Sequence, residues 1–562
     1  MHVPGYNEVV VADFEFSQSP GERPRPSCLV AREIGSGRTH RICGDDLLSR
    51  RHPPYPIDRD TLFVAFFAVA EMACHKALGW QLPENILDIY VEFRNATNGL
   101  YLPNGRGLLG ASLYYGLPAM DAAEKDEMRQ LAIRGAQTAE EFQALLKYCE
   151  EDVDATERLL YAMAPTIDFC RATEHAGVPV DVPALRILQE RWEDVQDHLI
   201  QQVDADFGVY DGRTFKYKWF EQLLIARDIP WSRLPTGALQ LDDDEFKDAA
   251  LTYPWLTPLR NLRKTLSQMR GFNPSIGSDG RNRYGLWPFS SRTGRNQPRN
   301  SESVLAQSPW FRCLIRPQPG YGLVSIDWKQ QEFGIAAAYS GDPAMWAAYQ
   351  SKDPYLAFAI QAGAVPPGAT KATHGAIREL YKTCALGTLY NMGAATLARR
   401  TGLYIPYAVD LLKKHHKTYP KFWEWSDRVL DYGLIHNHLY TTFGWNLFLE
   451  DEASPASLRN YAMQANGAEM LRLACCLAIE RGVTVVAPFH DSLLVEATVR
   501  DLMEATFTTI RAMRDASSII LDGFELKTDV TQIYYPGYYA DPRGTKMRQQ
   551  VWRIIRELEG KA

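Results

Sequence analysis

The 562-residue chain lacks any long apolar run; its longest is the nine residues Leu62 to Ala70, against roughly 20 for a helix that crosses a bilayer. A membrane-spanning protein is therefore not expected. No basic segment followed by an apolar core opens the chain, and the acids Asp13 and Glu15 arrive early, so no secretory signal is expected either. The nine cysteines form no CxxC and no Cys/His pair of zinc-site spacing. That excludes a zinc ribbon or a disulfide framework and fits a reduced, cytosolic chain. Internal repeats and low-complexity tracts are also missing, which excludes a solenoid or an array.

A strong net charge is missing too, at -7, which on its face argues against a polyanionic partner. Its distribution argues the other way. Residues 1–160 hold 16 Lys+Arg against 24 Asp+Glu, and the remainder holds 45 against 44. Leu256 to Arg316 alone carries eleven basic residues and only Asp279 and Glu302 as acids, a local +9 interrupted by Phe272, Tyr284, Trp287, Phe289 and Trp310. Such a stretch is a candidate phosphate-binding surface. What is present otherwise, 46% hydrophobic and 23% charged residues, is the balance of a globular protein, and the length predicts about three or four domains.

The pattern is α/β over the first 160 residues, with strands expected at Glu8 to Phe16 and near Cys28 to Ile34. From Tyr161 to Asp206 the spacing is helical, and Glu174 to Asp181 (EHAGVPVD) closes a helix with a glycine-bearing turn. Leu256 to Phe272 reads as a basic helix, 318–333 as a strand ending in acids, 343–430 as mostly helical and 483–497 as two short strands.

Two sets of carboxylates stand out. In GLVSIDWKQQE, Leu323, Ser325 and Asp327 alternate with Val324, Ile326 and Trp328, which puts Asp327 at a strand end. In VTVVAPFHDSLLVEA, His490 and Asp491 lie at the tip of an expected hairpin. Two such aspartates suit divalent ions that serve phosphoryl transfer, though a lone Asp is more often a turn residue or cap. Between them, Arg378, Lys382, Leu386 and Tyr390 recur every four residues along one helix ridge. Cations one turn apart can hold nucleotide phosphates and the Tyr ring can stack; a solvated basic face is the plain alternative. Near the N-terminus Asp13 and Glu15 share one strand face, and Tyr148 precedes Asp152 by four residues on an expected helix.

Asp327-Trp-Lys-Gln-Gln-Glu332, Arg378-x3-Lys382-x7-Tyr390 and His490-Asp491 resemble motifs A, B and C of family A DNA polymerases. Thr293-Gly294-Arg295, the Asn460/Gln464 pair and the segments Glu174-x2-Gly177-x3-Asp181, Leu234 to Ala238 and Tyr253 to Lys264 are similar to further family segments, so the resemblance covers about 400 residues. It implies that Asp327 and Asp491 are catalytic and hold two Mg²⁺ ions, with Mn²⁺ as a substitute. It implies that Arg378, Lys382, Leu386, Tyr390, Glu332 and His490 contact the incoming dNTP, with Glu332 crowding a ribose 2′-hydroxyl. Arg295, Arg292, Asn460, Gln464 and Lys264 would contact DNA. In the same way VADFEF and Tyr148-x3-Asp152 resemble DEDD-type 3′-5′ exonuclease motifs, which implies two further Mg²⁺ ions on Asp13, Glu15, Glu71 and Asp152, with Tyr148 orienting the attacking water. Phe67 stands where that family has Asn, and Asp88 is a weaker substitute for Glu71.

The fold implied is α/β and α+β multidomain: an RNase H-like 3′-5′ exonuclease domain (1–160), then a right-hand polymerase domain with thumb (161–272), first palm part (273–342), fingers (343–430) and second palm part with a C-terminal helix (431–562). No 5′-nuclease domain is expected. The implied partners are primer-template DNA and dNTPs, with no membrane; the expected state is a monomer in the cytoplasm of a bacterial cell, phage- or plasmid-borne genes included, and no segment marks a processivity partner. Ser492, Leu386, Asn391 and Ala456 depart from the polymerase pattern. Two other readings stay open, a single-subunit RNA polymerase of the phage type, whose motif C can read HDS, and a catalytically silent DNA-binding relative.

Overall fold

The computed structural model describes residues 6–120, 122–163, 177–284, 286–287, 289–449 and 454–560. The chain forms two compact units, one of Met1–Ala176, Leu286–Gln297 and Val324–Gln532 and the other of Gly177–Gly285, Pro298–Leu323 and Ile533–Ala562. The expected exonuclease region therefore shares a unit with most of the expected palm and fingers. The last thirty residues, expected with the second palm part, group instead with Gly177–Gly285.

In the first unit, β1 (Glu8–Ser17), β2 (Arg25–Glu33), β3 (Thr39–Cys43), β4 (Thr61–Ala65) and β5 (Asn85–Asp88) make a sheet of order β3-β2-β1-β4-β5. β1 runs antiparallel to β2 and parallel to β4. Period two divides β1 between two cores: Val10, Ala12 and Phe14 enter one, Val9 and Val11 the other. The second core also takes Cys149 and Val153 of helix α1 (Ala139–Met163). Asp13 and Glu15 continue the Val9/Val11 face, so alternation alone aims them at that helix.

A second sheet contains β6 (Tyr321–Trp328), β7 (Thr484–Phe489), β8 (Ser492–Thr498) and β9 (Thr528–Tyr534) in the order β7-β8-β6-β9. Val324, Ile326 and Trp328 are almost fully buried in the largest core, alongside Phe333, Phe358, Tyr419 and Phe422. Asp327 falls on the opposite face, part-buried beside the buried Leu323 and Ser325, as the alternation predicts.

The segment after the helix Ile89–Ala96 and the hairpin of strands His438–Tyr440 and Asn446–Phe448 are joined by polar groups. Asn98, 3% exposed, donates its amide to the carbonyls of Arg292 and Asn446, each at 2.7 Å, and its own carbonyl accepts from Phe448 N at 2.9 Å. Asn95 Oδ1 accepts from Asn446 N at 2.6 Å. Gly99 follows at φ +95, and a Cβ there would lie 2.1 Å from the Phe448 carbonyl oxygen, so only glycine fits.

In the second unit Trp192 stacks on Phe272, Trp310 and Phe311, and the buried pair Arg312–Asp541 (2.8 Å) ties in the C-terminal residues. Glu174 lies outside the described residues; Asp181 caps the helix Val182–Glu190 rather than ending one.

Gly99→Ala is expected to lower the unfolding midpoint more than Gly105→Ala. Both pay the left-handed backbone cost of about 1–2 kcal/mol, but Gly105 (φ +72) has nothing within 4 Å to clash with. Equal losses in thermal unfolding would show that the junction is not tightly packed.

Candidate functional site

β6 and the β7–β8 hairpin bring Asp327 and Asp491 to one end of the second sheet, where Trp328 N donates to the Asp491 carbonyl at 3.2 Å. His490 takes the left-handed conformation at the hairpin tip (φ 56), and Ser492 Oγ donates to the Phe489 carbonyl at 2.8 Å. Ser492 thus closes the turn. Burial, then the Asp491 charge and Asp529, pushes the Asp327 carboxyl up to about 6; burial likewise raises Asp491. Asp529 on β9, which the sequence reading did not pick out, is ion-paired with Lys329 at 2.7 Å.

Helix α2 (Lys371–Leu389) carries Arg378, Lys382 and Leu386, with Tyr390 just past its end. Arg378, expected at the triphosphate, is ion-paired here: Nε binds Asp353 at 2.6 Å, the guanidinium also meets Glu379, and its Cζ lies 5.2 Å from the centre of the Tyr355 ring. Lys382 is more exposed, 3.8 Å from Glu379. Leu386 is half-buried against the main core. Asn391 is left-handed (φ 52), a conformation asparagine tolerates better than most residues, which explains how it can stand in for glycine.

Glu332, in the first turn of the helix Gln331–Ser340, accepts from Tyr390 OH at 2.8 Å and from Arg295 at 3.3 Å. Gln464 donates to the same Tyr390 hydroxyl at 3.2 Å. A cleft of about 480 Å³ beside this chain of bonds is lined by Arg292, Thr293, Tyr390, Ala456, Asn460 and Gln464 among others. Asn460 is buried and gives its amide to the Leu389 carbonyl at 3.2 Å, so it braces the end of α2 instead of offering a free donor.

The +9 stretch is largely neutralised by folding. Arg260 and Lys264 pair with Asp243, Arg283 with Asp279, Arg295 with Glu332, Arg299 with Glu302, Arg312 with Asp541 and Arg316 with Asp181. Arg263 lies over the rings of Phe215 and Phe246. As a continuous phosphate-binding surface the stretch does not exist. Lys264, expected on DNA, sits on the Thr257–Arg270 helix facing Asp243 at 3.5 Å.

In the first sheet Asp13 and Glu15 lie near enough to Tyr148 and Asp152 of α1 for their charges to act on one another, and the β1–β2 register shifts between Glu15 and Phe16. Glu71, from the helix Ala68–Ala77, joins them and is 2% exposed. Burial raises Asp13 to about 7, helped by Asp152, and raises Glu15 and Glu71 well above their ordinary values, helped by Asp13. Asp88 is no substitute for Glu71: it accepts from the backbone N–H of Phe67, Ala68 and Tyr90 and so caps two chain segments. Burial and Asp152 raise the Tyr148 hydroxyl. The sequence reading missed Lys125, whose Nζ binds both oxygens of Asp152 at 2.7 and 2.8 Å. Its polar helix, Ala122–Arg134, offered no motif to mark it. Among the described residues no three acid, His or Cys side chains converge closely enough to hold one metal ion as they stand, yet Asp13 Oδ2 and Glu71 Oε2 are buried without hydrogen-bond partners. Such oxygens call for a proton or a cation, and an oxygen-only set suits Mg²⁺ or Mn²⁺.

Residues 302–532 match the family model of DNA polymerase family A. The chain is similar to DNA polymerase I of Chloroflexus aurantiacus, 24% identical over 388 residues that span 63% of this chain and 40% of that protein. The DNA polymerase of Mycobacterium phage L5 is 24% identical over 378 residues, 63% of this chain and 59% of its own, and thermostable DNA polymerase I of Thermus thermophilus is 28% identical over 248 residues, 40% and 29%. The matches span less than two thirds of each of these relatives. The polymerase domain of Pol1 from M. smegmatis, solved in complex with DNA primer-template and dNTP, has the same fold, with a TM-score of 0.74, 17% identity and 97% of each chain covered. Among the described residues no helix is long and apolar enough to cross a membrane.

The raised carboxyls set a pH dependence. An acid with a folded pKa above its unfolded value, near 4, contributes stability that is complete below that value and lost as pH rises through the folded one, here about 7 for Asp13. In a chelator, the unfolding midpoint should fall between pH 5 and 7.5, and Asp13→Asn should flatten that slope. An identical slope in both proteins would refute this account of the cluster.

Proposed function

We propose that this chain, a member of DNA polymerase family A by residues 302–532, extends a primer 3′ end on a DNA template with dNTPs, and that its N-terminal region removes mismatched 3′ ends. The observation that carries the first part is the pairing of Asp327 and Asp491 at one sheet end, both with carboxyls raised by burial, next to the Arg295–Glu332–Tyr390–Gln464 chain of bonds. In the reaction the primer 3′-oxygen attacks the α-phosphorus, the α–β bridging bond breaks and pyrophosphate leaves with the electron pair.

The activity depends on divalent metal, and two Mg²⁺ ions on Asp327 and Asp491 fit the oxygen donors present, with Mn²⁺ as a substitute. When bound, such ions activate the primer oxygen and stabilise charge on the α-phosphate. The protein residues do the rest. Lys382 takes the triphosphate by charge, and Arg378 joins it by exchanging Asp353 for phosphate oxygens, one charge-assisted pair for another. His490 lies at the same tip, and Leu386 packs beside the sugar. Glu332, fixed by Tyr390 and Arg295, blocks the space of a ribose 2′-hydroxyl. Arg292 and Gln464, lining the cleft, follow the primer-template.

In the N-terminal region Asp13, Glu15, Glu71 and Asp152 hold divalent ions and Tyr148 orients water toward the 3′-terminal phosphodiester; the unpaired Asp13 and Glu71 oxygens support this. The bacterial and phage relatives support a protein that works in a bacterial cytoplasm, whether its gene is chromosomal or carried by phage or plasmid.

One primer-template assay with matched and mismatched 3′ ends tests both sites. Asp327→Ala or Asp491→Ala should reduce extension by about 10³-fold, the order lost with one preorganised electrostatic partner; unchanged extension refutes the assignment. Glu332→Ala should admit NTPs, whereas a wild-type preference for NTPs would overturn the DNA polymerase reading. Asp13→Ala should abolish removal of a mismatched end while leaving matched extension intact.

A further inference from the structure

The acidic cluster of the first sheet carries a cation of its own. Lys125 reaches from the Ala122–Arg134 helix to grip both Asp152 oxygens, and its ammonium lies 5.3 Å from the centre of the Tyr148 ring. The Lys125 and Asp152 side chains are only 23% and 14% exposed. Both line a cleft of about 220 Å³ with Leu108, Ser112, Met120 and Arg158. By contrast, Glu71 Oε2 and Asp13 Oδ2 are buried with no hydrogen-bond partner. One carboxylate of the cluster is thus hydrogen-bonded to a cation, while two others each keep a buried oxygen without a donor.

Resting on the nuclease reading above, we propose that Lys125 is a built-in counter-cation that replaces one of the two metal ions, so that Asp13, Glu15 and Glu71 hold a single divalent ion while the lysine serves Asp152. A bidentate lysine contact at hydrogen-bond distance and a divalent ion demand the same carboxylate oxygens, and an ammonium that close would repel an ion seated beside it. The lysine also lies over the Tyr148 ring, where the cation stabilises both the aromatic face and the Tyr148–Asp152 contact. One positive charge is supplied by the chain itself, and the carboxylates whose oxygens lack a donor take the one ion from solution.

The test counts ions rather than turnover. In the full chain carrying Asp327→Asn and Asp491→Asn, to silence the polymerase carboxylates, Mn²⁺ is titrated by electron paramagnetic resonance. A single strand with a phosphorothioate 3′ end is bound throughout, and ions held by the free strand are subtracted. The expected result is one Mn²⁺ per chain, two after Lys125→Met, and one after Lys125→Arg, which keeps the charge. Two ions with Lys125 in place, or one ion unchanged by Lys125→Met in a protein with native circular dichroism, overturns the inference and leaves the nuclease reading standing. No ion in any of the folded variants overturns the nuclease reading itself, and the inference with it.

Discussion

Carboxylates buried close together without enough opposing charge are the constraint around which this molecule is organised. A carboxylate removed from water is costly, and a second one nearby adds repulsion. Both sheets accept that cost at one place each: Asp13, Glu15, Glu71 and Asp152 in the first, Asp327 and Asp491 in the second. In each, strand alternation puts the strand-borne acids, Asp13 and Glu15 or Asp327, on one face while the opposite face packs into an apolar core; helices supply Glu71 and Asp152, and the hairpin tip supplies Asp491. The resulting rise in carboxyl pKa marks sites where a cation gains more than a proton does.

The two clusters are answered differently. The Asp327–Asp491 pair lies at an open sheet end, and its nearby basic groups are held by other acids: Lys329 by Asp529, Arg378 by Asp353, Arg295 by Glu332. Those pairs keep cations close without placing them on the two aspartates, which stay available. In the first sheet one cation is already in place on Asp152. The difference follows from topology, since the helix carrying Lys125 packs against the strand and the helix that supply Asp13, Glu15 and Asp152.

Neutralisation by folding also explains why net charge was a poor guide. The basic stretch from Leu256 to Arg316 finds its counter-ions largely outside itself, at Asp181, Asp243, Glu332 and Asp541. Apart from the buried Arg312–Asp541 pair, these part-exposed ion pairs contribute little stability, but they decide which cations remain for a ligand. Arg292, on the rim of the cleft beside Tyr390, is such a residue by position.

The sequence by itself determined the local facts. Period two fixed which faces of β1 and β6 carry Asp13, Glu15 and Asp327, helical spacing fixed the Arg378–Lys382–Leu386 ridge and the Tyr148–Asp152 pair, and motif spacing marked the segments that resemble family A DNA polymerases. These are legible because they depend on chain geometry over a few residues. Only the tertiary structure decided that Lys125 meets Asp152, that Asp353 takes Arg378, that Asp88 caps a turn where Glu71 faces the acids, and that the C-terminal residues join the second unit. Each of those outcomes sets residues tens or hundreds of positions apart against one another, and a charge has no periodicity that announces its partner.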